Sequence, residues 1–130
     1  MQRDAGEPVH VRVVVIDADD RVRESLCGLL CIGDQLEVVG STGEVGPAVD
    51  LVRQTQPDVV LLDPRLPDVD AGLVERMRAA APGLHVLVLT AADPANQPDV
   101  SVAADGFVRK TFRPNALVAA VLAASVPLAG

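Results

Sequence analysis

Four polar side chains stand where apolar runs end: Asp17, Asp63, Thr90 and Lys110. They follow Val11–Ile16, Val59–Leu62, residues 86–89 and Gly106–Arg109. If those runs are strands of one parallel sheet, their carboxyl ends share an edge, where ligands and chemistry collect. The set then forms an anionic pocket facing a hydroxyl and an ammonium. Such a pocket suits phosphoryl transfer to a carboxylate, with Asp63 as nucleophile and Thr90 and Lys110 holding phosphoryl oxygens. Mg²⁺ fits it, since the ion takes one or two carboxylates and a phosphate oxygen while keeping waters. Asp63 is the best placed of the four. Val59-Val60-Leu61-Leu62 reads as a short strand buried on both faces, and Pro64 and Pro67 fix the loop that follows.

The remaining pattern supplies the scaffold. Strands are expected at Val11–Ile16, 36–39, Val59–Leu62, 86–89 and Gly106–Arg109. Helices are expected at 20–32, 47–54, Ala71–Ala80 and 114–124. Val22, Leu26, Leu29 and Leu30 line the inner face of the first, and Asp19 or Asp20 can cap it. Short connections between alternating strands and helices imply parallel strands with right-handed crossovers. The fold class is therefore α/β: a flavodoxin-like, doubly wound, five-stranded sheet of order 2-1-3-4-5. Asp17 and Asp63 flank the crevice where the winding reverses. One helix is irregular: Pro98 interrupts the connection between Thr90 and Gly106, leaving that fourth helix short, distorted or absent.

Composition narrows the class. The 130 residues form one domain, with 49% hydrophobic residues and only Phe107 and Phe112 as aromatics. A formal charge of −7 opposes direct nucleic-acid binding. No secretory leader is read at the start, and the apolar stretch 114–130 falls short of a membrane span, so a soluble cytoplasmic protein is expected. Cys27 and Cys31 share one side of a helix and read as small buried residues, with a redox pair or half a metal site as the alternative. His10 and His85 flank strands without partners nearby in sequence. The segment 114–124 lacks a polar face, which predicts a partner or self-association through this helix.

These residues resemble the receiver domain of two-component response regulators, from about residue 11 to 124. The run Asp63-Pro64-Arg65-Leu66-Pro67-Asp68-Val69-Asp70 resembles the phosphoacceptor loop. Thr90 is similar to the family's switch hydroxyl. Asp105-Gly106-Phe107-Val108-Arg109-Lys110 resembles the segment carrying the switch aromatic, Phe107, and the phosphate-reading lysine, Lys110. The stretch Glu37-Val38-Val39-Gly40, taken with Pro57 to Asp63, is most similar to receivers joined to LuxR-type helix-turn-helix effectors. None follows in this sequence, so the chain is either a stand-alone receiver or a fragment. Residues 1–10 then form an N-terminal extension, 11–124 the receiver and 125–130 a tail or the start of a linker.

The resemblance implies a histidine kinase as phosphodonor, Asp63 as acceptor, a non-enzymatic role in transcription regulation, and a metal held by Asp17, Asp63 and the Arg65 backbone carbonyl. The Arg65 side chain is expected in solvent. The pattern departs from the family at Ala18, where a second acid and more direct metal ligand normally stands. Asp19 either compensates by a change of register or only caps the helix. Thr111 replaces a frequent proline, so no cis bond is expected there. Two other functions stay open: a degenerate receiver that binds partners without phosphorylation, and a flavodoxin-like small-molecule binder.

Overall fold

A computed structural model describes residues 11–32, 35–90, 104–109 and 113–125. Five strands, β1 (Val11–Ile16), β2 (Leu36–Thr42), β3 (Val59–Leu62), β4 (His85–Thr90) and β5 (Gly106–Arg109), form one sheet in the order β2-β1-β3-β4-β5. Every neighbouring pair is parallel. Helices α1 (Asp20–Leu30), α2 (Ala48–Thr55), α3 (Ala71–Ala80) and α4 (Pro114–Ser125) complete the chain order.

The alternation of side chains along β1 shows how the sheet divides its core. Val14 and Ile16 pack with Ala48 and Val52 of α2 and with Leu73, Val74 and Met77 of α3. Val13 and Val15 pack on the other face with Leu26 and Leu30 of α1 and with Leu117, Val118 and Val121 of α4. Both faces are covered, so the central strand β3 is apolar at every position and buried throughout. Polar chemistry is thereby confined to the strand ends.

Several boundaries move from expectation. β2 runs to Thr42, past the apolar segment, because pairing with β1 recruits Gly40, Ser41 and Thr42 through a bulge between Val13 and Val14. β4 gains His85 and Thr90 for the same reason. α1 stops at Leu30, with Cys31 as its C-cap. Cys31 is exposed, correcting its expected burial, since the helix ends before that position can turn inward. Cys27 is half-buried; burial first of all raises its thiol pKa, against a hydrogen bond with Ser41. α2 begins at Ala48 with Pro47 as cap, and ends where Gln56 adopts a left-handed conformation at φ 47°. The Gln56 side-chain amide donates to Arg53 O at 3.0 Å and Ala80 O at 2.8 Å, tying the ends of α2 and α3 together.

α4 buries Leu117, Val118 and Val121, while its exposed positions include Asn115, Ala116, Ala119 and Ala123. The uncovered face is thus chiefly alanine. Residues 91–103, on which most of the expected irregular helix falls, lie outside the described residues, as do His10, Lys110 and Thr111.

Candidate functional site

The backbone ladder carries two acids to one place. Ile16 of β1 pairs with Leu62 of β3, so Asp17 and Asp63 each stand one residue beyond this pair. The ladder continues through them: Asp63 N donates to Ile16 O at 2.8 Å, and Asp17 N to Thr42 O at 3.1 Å. Both side chains are buried, Asp17 at 0% and Asp63 at 1% exposure. Buried carboxylates without an apolar role are costly, so their adjacency marks a site where charge is handled. Thr90 is also buried, at the carboxyl end of β4 and paired in register with Arg109 of β5. Lys110 lies outside the described residues, one position past Arg109 in sequence. Phe107, on β5 opposite Val88, is partly exposed.

The β3–α3 loop holds Asp63 in a tight turn. Leu66 N donates to Asp63 O at 3.4 Å, and Asp63 Oδ1 accepts from Arg65 N at 3.0 Å. Asp68 takes a positive φ of 69°, and Asp70 caps α3 by accepting from Leu73 N at 2.8 Å. The Arg65 side chain is largely exposed, as expected, but makes one contact that the sequence did not announce. Its Nε lies 3.3 Å from Asp63 Oδ1, so the guanidinium turns back onto the acid although the side chain is 65% exposed. The reason is electrostatic: an arginine two residues from a buried carboxylate has a nearby charge to neutralise. Asp63, by hydrogen bond and by charge, raises the guanidinium pKa; partial burial opposes this, and Asp17 and Asp19 add to it.

The β1–α1 loop decides what Asp19 does. Asp19 Oδ1 accepts from Arg21 N at 2.9 Å and Val22 N at 3.1 Å, the geometry of an N-cap. Asp17 Oδ1 accepts from Asp19 N at 3.0 Å. Asp19 therefore serves the helix start. We expect Asp19→Ala to lower stability by about 1 kcal/mol, read from urea denaturation, and Asp19→Asn, which still caps, to leave divalent-metal affinity within about twofold. A large loss of metal affinity in Asp19→Asn would make Asp19 a ligand.

Two features escaped the sequence reading. Arg23 Nη1 donates to Asp17 O at 2.8 Å while Nη2 pairs with Asp20 Oδ1 at 2.6 Å, clamping the backbone of the acid. A Cβ on Gly43 would stand 2.6 Å from Arg23 Nη1, so a larger residue there would push the guanidinium out of this clamp. The only advance signal was the Asp20–Arg23 spacing of three on one helix. Ala18, in turn, lines a cleft of about 350 Å³ with Gly43, Glu44, Val45, Gly46, Leu66, Pro67 and Asp68.

The donor chemistry bears on Mg²⁺. Two buried carboxylates at adjacent strand ends, with the backbone carbonyl of Arg65 in the same loop, are hard oxygen donors of the type the ion accepts alongside water. Among the described residues no group of three or more His, Cys, Asp or Glu could hold a metal. The site fits an ion that keeps most of its waters.

Comparison with known proteins decides the family. The profile of the response regulator receiver domain matches residues 13–122. The chain belongs to this family. The receiver is 35% identical over 114 residues to the DNA-binding transcriptional activator DevR/DosR of Mycobacterium tuberculosis, covering 85% of this chain and 52% of that protein. It is 32% identical over 112 residues to the response regulator MprA of Mycolicibacterium vanbaalenii, covering 84% and 48% respectively. The receiver thus spans about half the length of these curated relatives. Among solved structures, the signal receiver domain of the response regulator NarL from Mycobacterium tuberculosis superposes with a TM-score of 0.78 at 32% identity, covering 91% of this chain and 98% of that one. A LuxR-family response regulator from Aurantimonas sp. SI85-9A1 gives 0.74 at 28% identity, over 88% and 84%. The flavodoxin-like order of the receiver sheet agrees with these neighbours. Among the described residues no helix is long and apolar enough to cross a membrane.

Proposed function

We propose that this receiver accepts a phosphoryl group on Asp63 from a histidine kinase. The observation that carries the reading is the burial of Asp63 beside Asp17 at the ends of β3 and β1. An ionised carboxylate carries its own lone pairs and attacks phosphorus without a general base. One Asp63 oxygen forms the new O–P bond as the N–P bond of the kinase phosphohistidine breaks, and the histidine leaves with its electron pair. The main-chain turn through Leu66 and the Arg65 N–H hold the attacking carboxylate in place. Asp17, Asp63 and the Arg65 carbonyl would hold Mg²⁺, which supplies neutralisation of charge on the transferring group. Thr90 and Lys110 bind phosphoryl oxygens, and Phe107 follows Thr90 as the switch aromatic.

The same proposal makes the protein a cytoplasmic regulatory domain, not an enzyme. Its receiver unit is residues 11–124, flanked by an extension at 1–10 and by a tail or the start of a linker at 125–130. The output is a change in effector or dimer contacts, with α4 as one surface. Relatives described as DNA-binding or LuxR-family support a transcriptional effector. Incubation with acetyl phosphate and Mg²⁺ will add one phosphoryl group by intact mass. No adduct, under conditions that label a standard receiver, would contradict the proposal and favour a phosphorylation-independent interaction module.

A further inference from the structure

The pocket contains a cation of its own. Arg65 Nε sits 3.3 Å from Asp63 Oδ1, and the partners differ sharply in exposure: 65% for the arginine side chain against 1% for the acid. The guanidinium therefore covers a buried carboxylate from the solvent side. The residues that stabilise its charge are Asp63 first, then Asp17 and Asp19. Asp17 and Asp63 are also the carboxylates that a divalent ion would use.

We propose that the Arg65 guanidinium is a resident counter-ion of the acidic pocket, competing with the divalent cation for Asp63. The inference rests on the acceptor-site reading above, because it concerns metal entry to the same acids. Three observations support it. First, the contact between the two side chains is a single long bond through Nε, and not the paired fork that holds arginine firmly to a carboxylate. A contact of this kind is displaceable. Second, the Arg65 backbone is fixed independently, its N–H bonded to the same Asp63 oxygen at 3.0 Å. The side chain can leave while the main chain, with the carbonyl that would face the ion, remains in the turn. Third, Ala18 removes a carboxylate from the pocket mouth, leaving Asp17 and Asp63 as the buried acids there. One guanidinium offsets half the formal charge of that pair, so the pull on a divalent ion falls further than the missing acid alone implies.

The competition is electrostatic and partly exposed, hence sensitive to salt. It gives the receiver a metal-free state in which part of the pocket charge is offset, and raises the metal concentration needed to load the site.

Mn²⁺ is the probe, since its free and bound forms are separable by electron paramagnetic resonance and its binding is also measurable by calorimetry. Arg65→Gln will bind Mn²⁺ at least about threefold more tightly than the native protein at low ionic strength, and the gap will shrink at high salt. Arg65→Lys, which keeps the charge but loses the planar Nε donor, will fall between them. The gain will vanish when Arg65→Gln is made in the Asp63→Asn background, as a direct coupling requires. Matching urea midpoints will show that the variants stay folded. Equal or weaker Mn²⁺ binding by Arg65→Gln beside measurable native binding would overturn the counter-ion role and leave the acceptor reading intact. A gap insensitive to salt, or one that persists without the Asp63 charge, would overturn it likewise. Binding in none of the forms would overturn it too, and joined to a failure to form the acetyl phosphate adduct would bring down the acceptor reading as well.

Discussion

Asp63→Asn will abolish acetyl phosphate labelling while the protein stays folded. The amide nitrogen has no lone pair available for attack, and an amide oxygen is a far weaker nucleophile than a carboxylate oxygen, so the loss should be complete within detection. The fold should tolerate the change for reasons visible around the residue. Asn is isosteric with Asp, and its oxygen can still accept from the Arg65 N–H that holds the turn. The neighbouring bond from Asp63 N to Ile16 O belongs to the main chain and is untouched. The substitution also takes one negative charge out of a pair of buried acids, which favours rather than opposes folding. Intact mass with and without acetyl phosphate, beside a urea titration, checks both halves. Persistence of the adduct would mean that another acid is the acceptor.

Ala18→Asp will raise Mg²⁺ affinity by roughly tenfold, because ligand charge sets much of the affinity of such sites. Ala18 is exposed at the wall of the cleft, directly after buried Asp17, so a carboxylate fits there without entering the core. The backbone it would occupy is already fixed on both sides. Arg23 holds Asp17 O, and Asp19 caps α1. Calorimetric titration with Mg²⁺ on the native and variant proteins measures the effect. Unchanged affinity would show that the missing acid is not what limits the site, and would turn attention to Arg65. Stability should change by less than about 0.5 kcal/mol, as for surface substitutions away from packed or capped positions.

The fold was legible because its signals are strong and local. Val59-Val60-Leu61-Leu62 could only be buried on both faces, and its bounds and those of α3 and β5 match the expected residues. The limits of β2 were not legible, since Gly40, Ser41 and Thr42 carry no apolar pattern and join the sheet through pairing with β1. The positions of Asp17, Asp63 and Thr90 at strand ends followed from counting apolar runs, and the register places them as that count implies. What a side chain does after leaving its strand is a tertiary matter. Sequence could not choose between the two roles of Asp19 because both begin from the same position; two backbone N–H donors at the start of α1 show the capping role. It placed the Arg65 side chain in solvent, where 65% of it is exposed; the contact of its Nε with buried Asp63 is what no local pattern announces. Likewise α4 showed no polar face, and only packing revealed that the uncovered side is mainly alanine.

The account stands or falls on where the phosphoryl group lands. Treating the labelled protein with borohydride reduces an acyl phosphate to the alcohol and leaves free carboxylates unchanged, so peptide mapping reads the site directly. The account predicts homoserine at position 63 alone, dependent on acetyl phosphate and on a divalent cation. Homoserine at Asp17, Asp19 or Asp68, or none anywhere in a protein that carries the added mass, would contradict it.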